Sequence, residues 1–211
     1  MLPAICFVYS RKNVEMYASE ITANLHDDPK HMETIRKESE KILMKLANYK
    51  EFIRLPEYEF MIKLLQKGVA VHHSGIIPIL REMIEILFSK GYIKLLFATE
   101  TFSVGLNMPT KTVIFSELNK FDGNGKRFLH SHEYTQQAGR AGRRGFDTKG
   151  YVIHLNSLFD IPNATEYKTT LSNTPDKLKS KFKLSFQYVL NSIPIYQNKA
   201  IEYTTTSMVA Q

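Results

Sequence analysis

The sequence predicts an α/β fold in which a parallel β-sheet is flanked by helices, and three observations lead to it. The 211 residues, at roughly 150 residues per domain, correspond to one main globular unit with an appendage. A hydrophobic share of 43% beside a charged share of 23% is typical of a chain that buries a core. Short apolar runs alternate with helical patterns along most of the chain, as they do in parallel sheets whose strands are joined by helices.

Five apolar runs predict the strands of this sheet. They are AICFVY, VAVHH, IKLLFAT, KTVIFSE and GYVIHL, in that order. After the first run, Val14, Tyr17, Ala18 and Ile21 stand at helical spacing and predict an amphipathic helix. The charged stretch over residues 27–54 has only a thin apolar stripe, so we expect a peripheral helix that is an insertion.

Three further helices follow from their end signals. A helical face that begins near Tyr58 ends at Gly68, and Pro78 opens a helix that is followed by Gly91. The segment SHEYTQQAGRAGRR predicts a helix capped by Ser131. Before it, Asn124 and Gly125 predict a hairpin with a two-residue type I′ turn.

The composition changes near Asn156, where we place a domain boundary. Residues 1–156 form the predicted α/β domain, and residues 157–211 form a linker and a basic helix. That helix is expected to begin at Thr174 and Pro175, a cap residue followed by a favourable first-turn residue.

Charge and cysteine content narrow the classes of function. The net charge of +7 makes a polyanion the first partner to consider, and nucleic acid or a nucleotide leads. The single cysteine, Cys6, excludes an internal disulfide and a cysteine-based metal cluster, and is expected to pack as a small hydrophobe in a reducing compartment. His72 and His73 have no third ligand at a convincing spacing, so we expect no metal site. No apolar run approaches the roughly 18 residues of a membrane span, so we expect no membrane partner.

Polar residues follow several predicted strands, where ligands of open α/β sheets bind. The segments are 10–12, 72–75 and 99–107. Their hydroxyls, glycines and basic side chains suit phosphate oxygens. Separately, Arg140 and Arg143 are three residues apart on the predicted helix and therefore share one face, with Gly139 and Gly142 clearing space beside them. The alternative for such a pair is a solvated basic helix end.

Four segments in order, FVYSRK, HHSGIIP, FATETFSVGLNMP and YTQQAGRAGRRG, resemble the second RecA-like domain of superfamily two DExH-box RNA helicases. More narrowly, they resemble the superkiller type, which feeds RNA to the exosome. The resemblance covers residues 2–155, and the segment DKLKSKFKLSFQYVLN is similar to the family's entry into a winged-helix domain. It therefore implies a RecA-like sheet followed by a short helical extension at the start of a winged helix.

The resemblance also implies roles for individual residues. Arg140 and Arg143, with Gln136, would act on the γ-phosphate of ATP, and the arginines would be fingers that stabilise phosphoryl-transfer charge. Glycines and an amide would approach the nucleotide: Gly105, Asn107, Gly139 and Gly142. Small, polar and basic residues would line the RNA backbone track or couple the two sites: Ser10, Arg11, His73, Ser74, Gly75, Thr99 and Glu100. On the predicted hairpin, charged and aromatic side chains would meet nucleic acid: Lys126, Arg127, Phe121 and Phe128.

Together, the roles that the resemblance implies predict that this chain is the C-terminal motor domain of an ATP-dependent RNA helicase. The sequence has no GxxxxGK[ST] loop and no DExH box; in the family both lie on the first RecA-like domain, which holds Mg²⁺ and shares ATP with the second. We therefore expect this chain to be a piece of a longer helicase and inactive alone, although a natural short protein stays open. The expected partners are single-stranded RNA, the first RecA-like domain and an RNA-decay complex, in the nucleus or cytoplasm. The alternatives are a stand-alone basic RNA-binding module without ATPase activity and, third, a protein-interaction domain for another motor subunit.

Overall fold

A computed structural model describes residues 1–26, 31–103, 110–143, 145–155, 162–172, 186–196 and Lys199. The chain divides into two compact units, Met1–Thr174 and Pro175–Gln211. The predicted sheet and all of the candidate residues lie in the first unit.

The described residues form a five-stranded parallel sheet and a separate antiparallel hairpin. The strands are β1 (Ala4–Phe7), β2 (Val69–His72), β3 (Leu95–Ala98), β4 (Thr112–Phe115), β5 (Asn119–Phe121), β6 (Lys126–Phe128) and β7 (Tyr151–His154). The order in the sheet is β2-β3-β1-β4-β7, and every pairing in it is parallel. The predicted parallel α/β sheet, made of the five predicted apolar runs, is confirmed.

Helices flank this sheet, as the alternation of patterns predicts. They are α1 (Arg11–Glu20), α2 (His31–Leu43), α3 (Tyr49–Phe52), α4 (Pro56–Leu65), α5 (Pro78–Ser89), α6 (Ser131–Ala138), α7 (Ala164–Leu171) and α8 (Phe186–Tyr196), with a 3₁₀ turn at Glu100–Ser103. Helix α5 buries one apolar face, made of Leu80, Met83, Ile84, Leu87 and Phe88. Gly91 after it has a φ of +80°, a conformation that favours glycine. Cys6 is buried in β1, and burial raises the pKa of its thiol to about 12, so it packs as an inert hydrophobe.

Helix α2 contributes to the core, and the expectation of a peripheral helix was wrong. It packs on α4 and α5, and Ile35 and Leu43 are fully buried. Ser39 lies between them and donates its hydroxyl to the carbonyl of Ile35 at 2.8 Å. Ile35, Ser39 and Leu43 are spaced four residues apart and therefore lie on one face of the helix. This narrow face is enough to pack α2 against α4 and α5.

Helix α6 begins and ends differently from the prediction. Its N-cap is His130, whose backbone N–H donates to Glu133 at 2.9 Å, so Ser131 is the first helical residue and not the cap. The helix ends at Ala138, with Gly139 at its C-cap. Arg140 and Arg143 therefore lie beyond the helix, and the argument that helical spacing places them on one face was wrong.

The predicted hairpin is present, but its turn is longer than a two-residue type I′ turn. Phe121 pairs with Lys126, which leaves four residues in the loop. The carboxylate of Asp122 accepts hydrogen bonds from the backbone of Asn124 at 2.9 Å and of Gly125 at 3.1 Å, and the positive φ of +102° falls on Gly123. The aspartate thus organises the loop, and the residue with a positive φ precedes the Asn-Gly pair by one position.

The first compact unit extends past the predicted boundary at Asn156. Helix α7 packs against α6, and the Thr170 hydroxyl donates to the carbonyl of Leu129 at 3.3 Å. The domain boundary and the winged-helix start stay predictions, and the expected beginning of the basic helix at Thr174 and Pro175 lies outside the described residues. Among the described residues, no helix has the length and apolar character needed to cross a membrane.

Candidate nucleic-acid interface and arginine loop

A polar cavity of about 220 Å³ lies where β1, β2 and β3 end. It is lined by Tyr9, Arg11, Ser74, Thr99, Glu100, Thr101, Lys120 and Phe121. Four of the residues predicted for the RNA track, Arg11, Ser74, Thr99 and Glu100, therefore meet in one place. Hydroxyls beside basic side chains are suitable donors for phosphate oxygens.

The other three predicted track residues shape the loops around this cavity. The Nδ1 atom of His73 accepts a hydrogen bond from the backbone of Gly75 at 3.1 Å, and its Nε2 lies 3.0 Å from a carboxylate oxygen of Glu15. A Cβ atom at Gly75 would lie 3.1 Å from the His73 ring, so a larger residue would push the ring away. Ser10 is the N-cap of α1, and its side chain accepts from Asn13. These residues hold Ser74 and Arg11 in position.

Lys120, on β5 of the hairpin, was missed in the sequence analysis. Its ammonium lies 2.7 Å from a carboxylate oxygen of Glu100 in the cavity and 2.6 Å from one of Glu133 on α6. The guanidinium of Arg127 donates to both oxygens of the same Glu133 at 2.9 Å. No local motif marks Lys120, because its partners come from two other elements of the fold.

The hairpin exposes only part of what was predicted to meet nucleic acid. Phe121 is 67% exposed and Lys126 is exposed, whereas Phe128 packs against the core. The guanidinium of Arg127 is bound to Glu133 and anchors the hairpin on α6. The contacts of Lys126 and Arg127 with nucleic acid stay predictions. Phe121 and Lys126 are the hairpin residues whose exposure favours such contacts.

The ion pairs of Glu133 with Lys120 and Arg127 predict that the free energy of unfolding falls at acid pH. Burial alone would raise the pKa of Glu133, but the hydrogen bonds from Arg127 and Lys120 lower it from 4.5 to about 2. Because the folded-state pKa lies below the unfolded value, this contribution is present above about pH 4.5 and is lost as the pH falls towards 2. We expect Glu133→Gln to be less stable than the wild type near neutral pH, with a smaller difference at about pH 3. Denaturant unfolding at both pH values checks this, and an equal difference at the two would contradict it.

A second bond joins the cavity wall to α6. The hydroxyl of Tyr9 donates to Oε1 of Gln137 at 2.7 Å, and Gln137 is buried. Gln136, the residue predicted to act near the nucleotide, is exposed on the same helix. The buried neighbour holds the helix on the sheet, while Gln136 is accessible to a ligand.

The arginine loop is the segment over residues 139–150, of which 139–143 and 145–150 are described. These residues lie at the amino ends of β4 and β7, opposite the strand ends that line the cavity. Gly142 donates its backbone N–H to the carbonyl of Thr110 at 3.0 Å, just before β4. A Cβ atom on Gly150 would lie 2.5 Å from the backbone of Ala141, just before β7. Gly142 has a φ of +90° and lies against Gly150, so it serves this close backbone contact. The expectation that it clears space beside the arginines stays a prediction.

Arg143 is held within this loop by Asp147. Its Nε and Nη2 atoms donate to the Asp147 carboxylate at 2.6 and 2.9 Å, and its backbone N–H donates at 3.0 Å. These bonds to Arg143 lower the pKa of Asp147 to about 2. The side chain of Arg143 is 31% exposed, and its Nη1 atom is outside the bidentate pair, so the guanidinium is oriented and still accessible to an anion.

The family model of the helicase conserved C-terminal domain matches residues 29–145. This chain belongs to that family. The match includes the hairpin, α6 and the beginning of the arginine loop, and the parallel sheet flanked by helices is consistent with the RecA-like fold of this family.

Relatives of this helicase domain are DExH-box RNA helicases. The chain is 46% identical over 195 residues to antiviral helicase SKI2 of Saccharomyces cerevisiae. It is 41% identical over 196 residues to exosome RNA helicase MTR4 of Homo sapiens, and 43% identical over 194 residues to DExH-box ATP-dependent RNA helicase DExH9 of Arabidopsis thaliana. These alignments cover 92%, 92% and 90% of this chain but only 15%, 18% and 19% of the relatives. The resemblance to the superkiller type is confirmed.

Not every predicted site residue of this helicase domain can be placed. Gly105 and Asn107 lie outside the described residues, so their approach to a nucleotide stays a prediction.

Proposed function

We propose that this helicase domain is the C-terminal motor half of an ATP-dependent RNA helicase. Arg140 and Arg143 would act on the γ-phosphate of an ATP bound between this domain and a first RecA-like domain, while the cavity forms half of the RNA track. The observation that carries the proposal is the arginine loop, in which Asp147 and the contact between Gly142 and Gly150 hold Arg143 accessible and oriented. Transfer of a phosphoryl group is helped by a cation fixed where negative charge develops.

The residues of α6 and the arginine loop can contact one side of an ATP phosphate. Arg143 offers a guanidinium that is oriented but only partly used by Asp147, and Gln136 is exposed on the preceding helix. ATP supplies the phosphoanhydride bond whose cleavage drives the motor. We propose that Mg²⁺ is held by the first RecA-like domain, where the family carries its phosphate loop and DExH box.

For the nucleic acid, we propose single-stranded RNA bound through its backbone. Arg11, Ser74 and Thr99 would donate to phosphate oxygens, which carry no base information, so binding would be insensitive to sequence. The similarity to exosome RNA helicase MTR4 supports an RNA substrate and an RNA-decay complex as partner. We propose that the protein works in the nucleus or cytoplasm.

Reconstitution tests the proposal directly. ATP hydrolysis is measured with single-stranded RNA for this chain alone, and again after adding a separately expressed domain that carries the phosphate loop and DExH box. We expect no hydrolysis alone and RNA-stimulated hydrolysis on mixing. Hydrolysis by the chain alone would contradict the split site. No hydrolysis in either case, together with salt-sensitive RNA binding, would support a stand-alone binding module instead.

A further inference from the structure

Helix α6 connects the two candidate sites of this domain. Its first turn carries Glu133, which binds Lys120 of the cavity at 2.6 Å. Its last turn carries Gln137, which accepts from Tyr9 of the cavity at 2.7 Å. The helix ends at Ala138, and two residues later the chain reaches Arg140 of the arginine loop, at the opposite end of the sheet.

The contact of Lys120 with Glu133 and that of Tyr9 with Gln137 are both shielded from water. They are therefore suited to transmitting a displacement of the cavity residue to α6. The side chains of Lys120 and Glu133 are each 14% exposed, and Gln137 is 1% exposed. Breaking a hydrogen bond at such sites leaves a buried polar group unsatisfied, which costs more free energy than the loss of an exposed bond. A movement of Tyr9 or Lys120 is therefore more easily followed by α6 than absorbed by breaking these contacts.

The charge in the cavity gives RNA a means to cause that movement. Lys120 is one ammonium shared by two carboxylates, those of Glu100 and Glu133. A phosphate that enters between Arg11 and Lys120 is a third anion that competes for the same ammonium. Because the bond between Lys120 and Glu133 is shielded from water, a shift of Lys120 towards the phosphate draws Glu133 with it and thus changes the position of α6.

We propose that Lys120 and Tyr9 are coupling residues that transmit RNA backbone binding in the cavity to the arginine loop through Glu133 and Gln137 of α6. The inference rests on the proposed function, because it takes RNA as the ligand of the cavity. Neither residue acts on ATP in this scheme. They are positioning residues whose effect on hydrolysis passes through the helix that precedes Arg140.

Hydrogen–deuterium exchange of this chain with an oligouridylate tests the inference without the first RecA-like domain. In the wild type, we expect RNA to slow exchange around Arg11 and Thr99 and also to change exchange over residues 131–150. Tyr9→Phe removes one hydroxyl and Lys120→Met removes one charge. In each variant, we expect protection around the cavity to remain at saturating RNA, while the response over residues 131–150 falls at least twofold.

Matched controls separate coupling from general loss of structure or charge. Tyr17→Phe removes a tyrosine hydroxyl on α1, and Lys63→Met removes an exposed charge from α4; both are expected to keep the wild-type response. Exchange of β1 and β3 without RNA verifies that each variant is folded, and Glu133→Gln provides a third variant of the connection.

The outcomes distinguish the inference from the proposed function. An absence of cavity protection in the wild type would overturn the proposed RNA site itself. Cavity protection with no wild-type response over residues 131–150 would overturn the coupling alone. A full response in folded Tyr9→Phe and Lys120→Met would overturn the assignment of these two residues.

Discussion

Arg143→Ala is expected to lower kcat for ATP hydrolysis by about 10³ to 10⁵ in the reconstituted two-domain enzyme, the range for an arginine that stabilises phosphoryl-transfer charge. The effect should fall on kcat more than on KM, because the charge that Arg143 would neutralise develops in the transition state. Arg140→Ala is expected to act in the same direction. RNA affinity should change little, since the arginine loop lies at the end of the sheet opposite the cavity.

Arg143→Lys keeps the positive charge and therefore tests whether the geometry of the guanidinium matters for hydrolysis. Asp147 binds Nε and Nη2 together, a geometry that a lysine ammonium cannot reproduce. Arg143→Lys should therefore recover little of the lost rate even though it keeps the charge. Lys149→Ala removes an exposed charge from the same loop and serves as the control, with a rate close to that of the wild type. An Arg143→Ala enzyme within tenfold of the wild-type kcat would exclude the finger role.

Much of the fold is predictable because the sheet is parallel and buried. Strands covered on both faces are nearly continuous apolar runs, so β1 and β3 are recognisable from sequence alone. Helix α5 is equally clear, since Pro78 opens it and Gly91 follows it. The importance of α2 was underestimated because three well-placed residues can be fully buried even when the rest of a helix is charged.

The candidate site is only partly predictable, because its geometry depends on contacts between distant segments. The segments that follow β1, β2 and β3 indicate the cavity, and the structure brings Arg11, Ser74 and Thr99 together there. Lys120 and Tyr9 could not be found in this way, since their partners lie on α6. Similarly, the pattern of glycines and arginines after α6 suggested helical spacing, whereas Gly139 ends the helix before it reaches Arg140.

Gly150→Ala is expected to destabilise the domain by about 3 kcal/mol, the upper part of the usual range for overpacking. Its Cβ atom would lie 2.5 Å from the carbonyl carbon and oxygen of Ala141 and 2.7 Å from the backbone nitrogen of Gly142. These are backbone atoms, so no side-chain rotation relieves the clash. For a domain of this size, the loss corresponds to a fall in Tm of roughly 6–12 °C, measurable by thermal unfolding.

Gly142, which lies against Gly150, allows a stricter test of the expected loss of stability. Gly142→Ala places a residue at a φ of +90° and 3.2 Å from Gly150, so it should also destabilise the domain. Because both substitutions open the same backbone contact, the double variant should lose less stability than the sum of the single losses. Gly125→Ala is the control: its Cβ atom has nothing within 4 Å, and its Tm should match that of the wild type. Additive losses at Gly142 and Gly150 would show that the two glycines act separately, and a wild-type Tm for Gly150→Ala would contradict the close contact that fixes the arginine loop to β7.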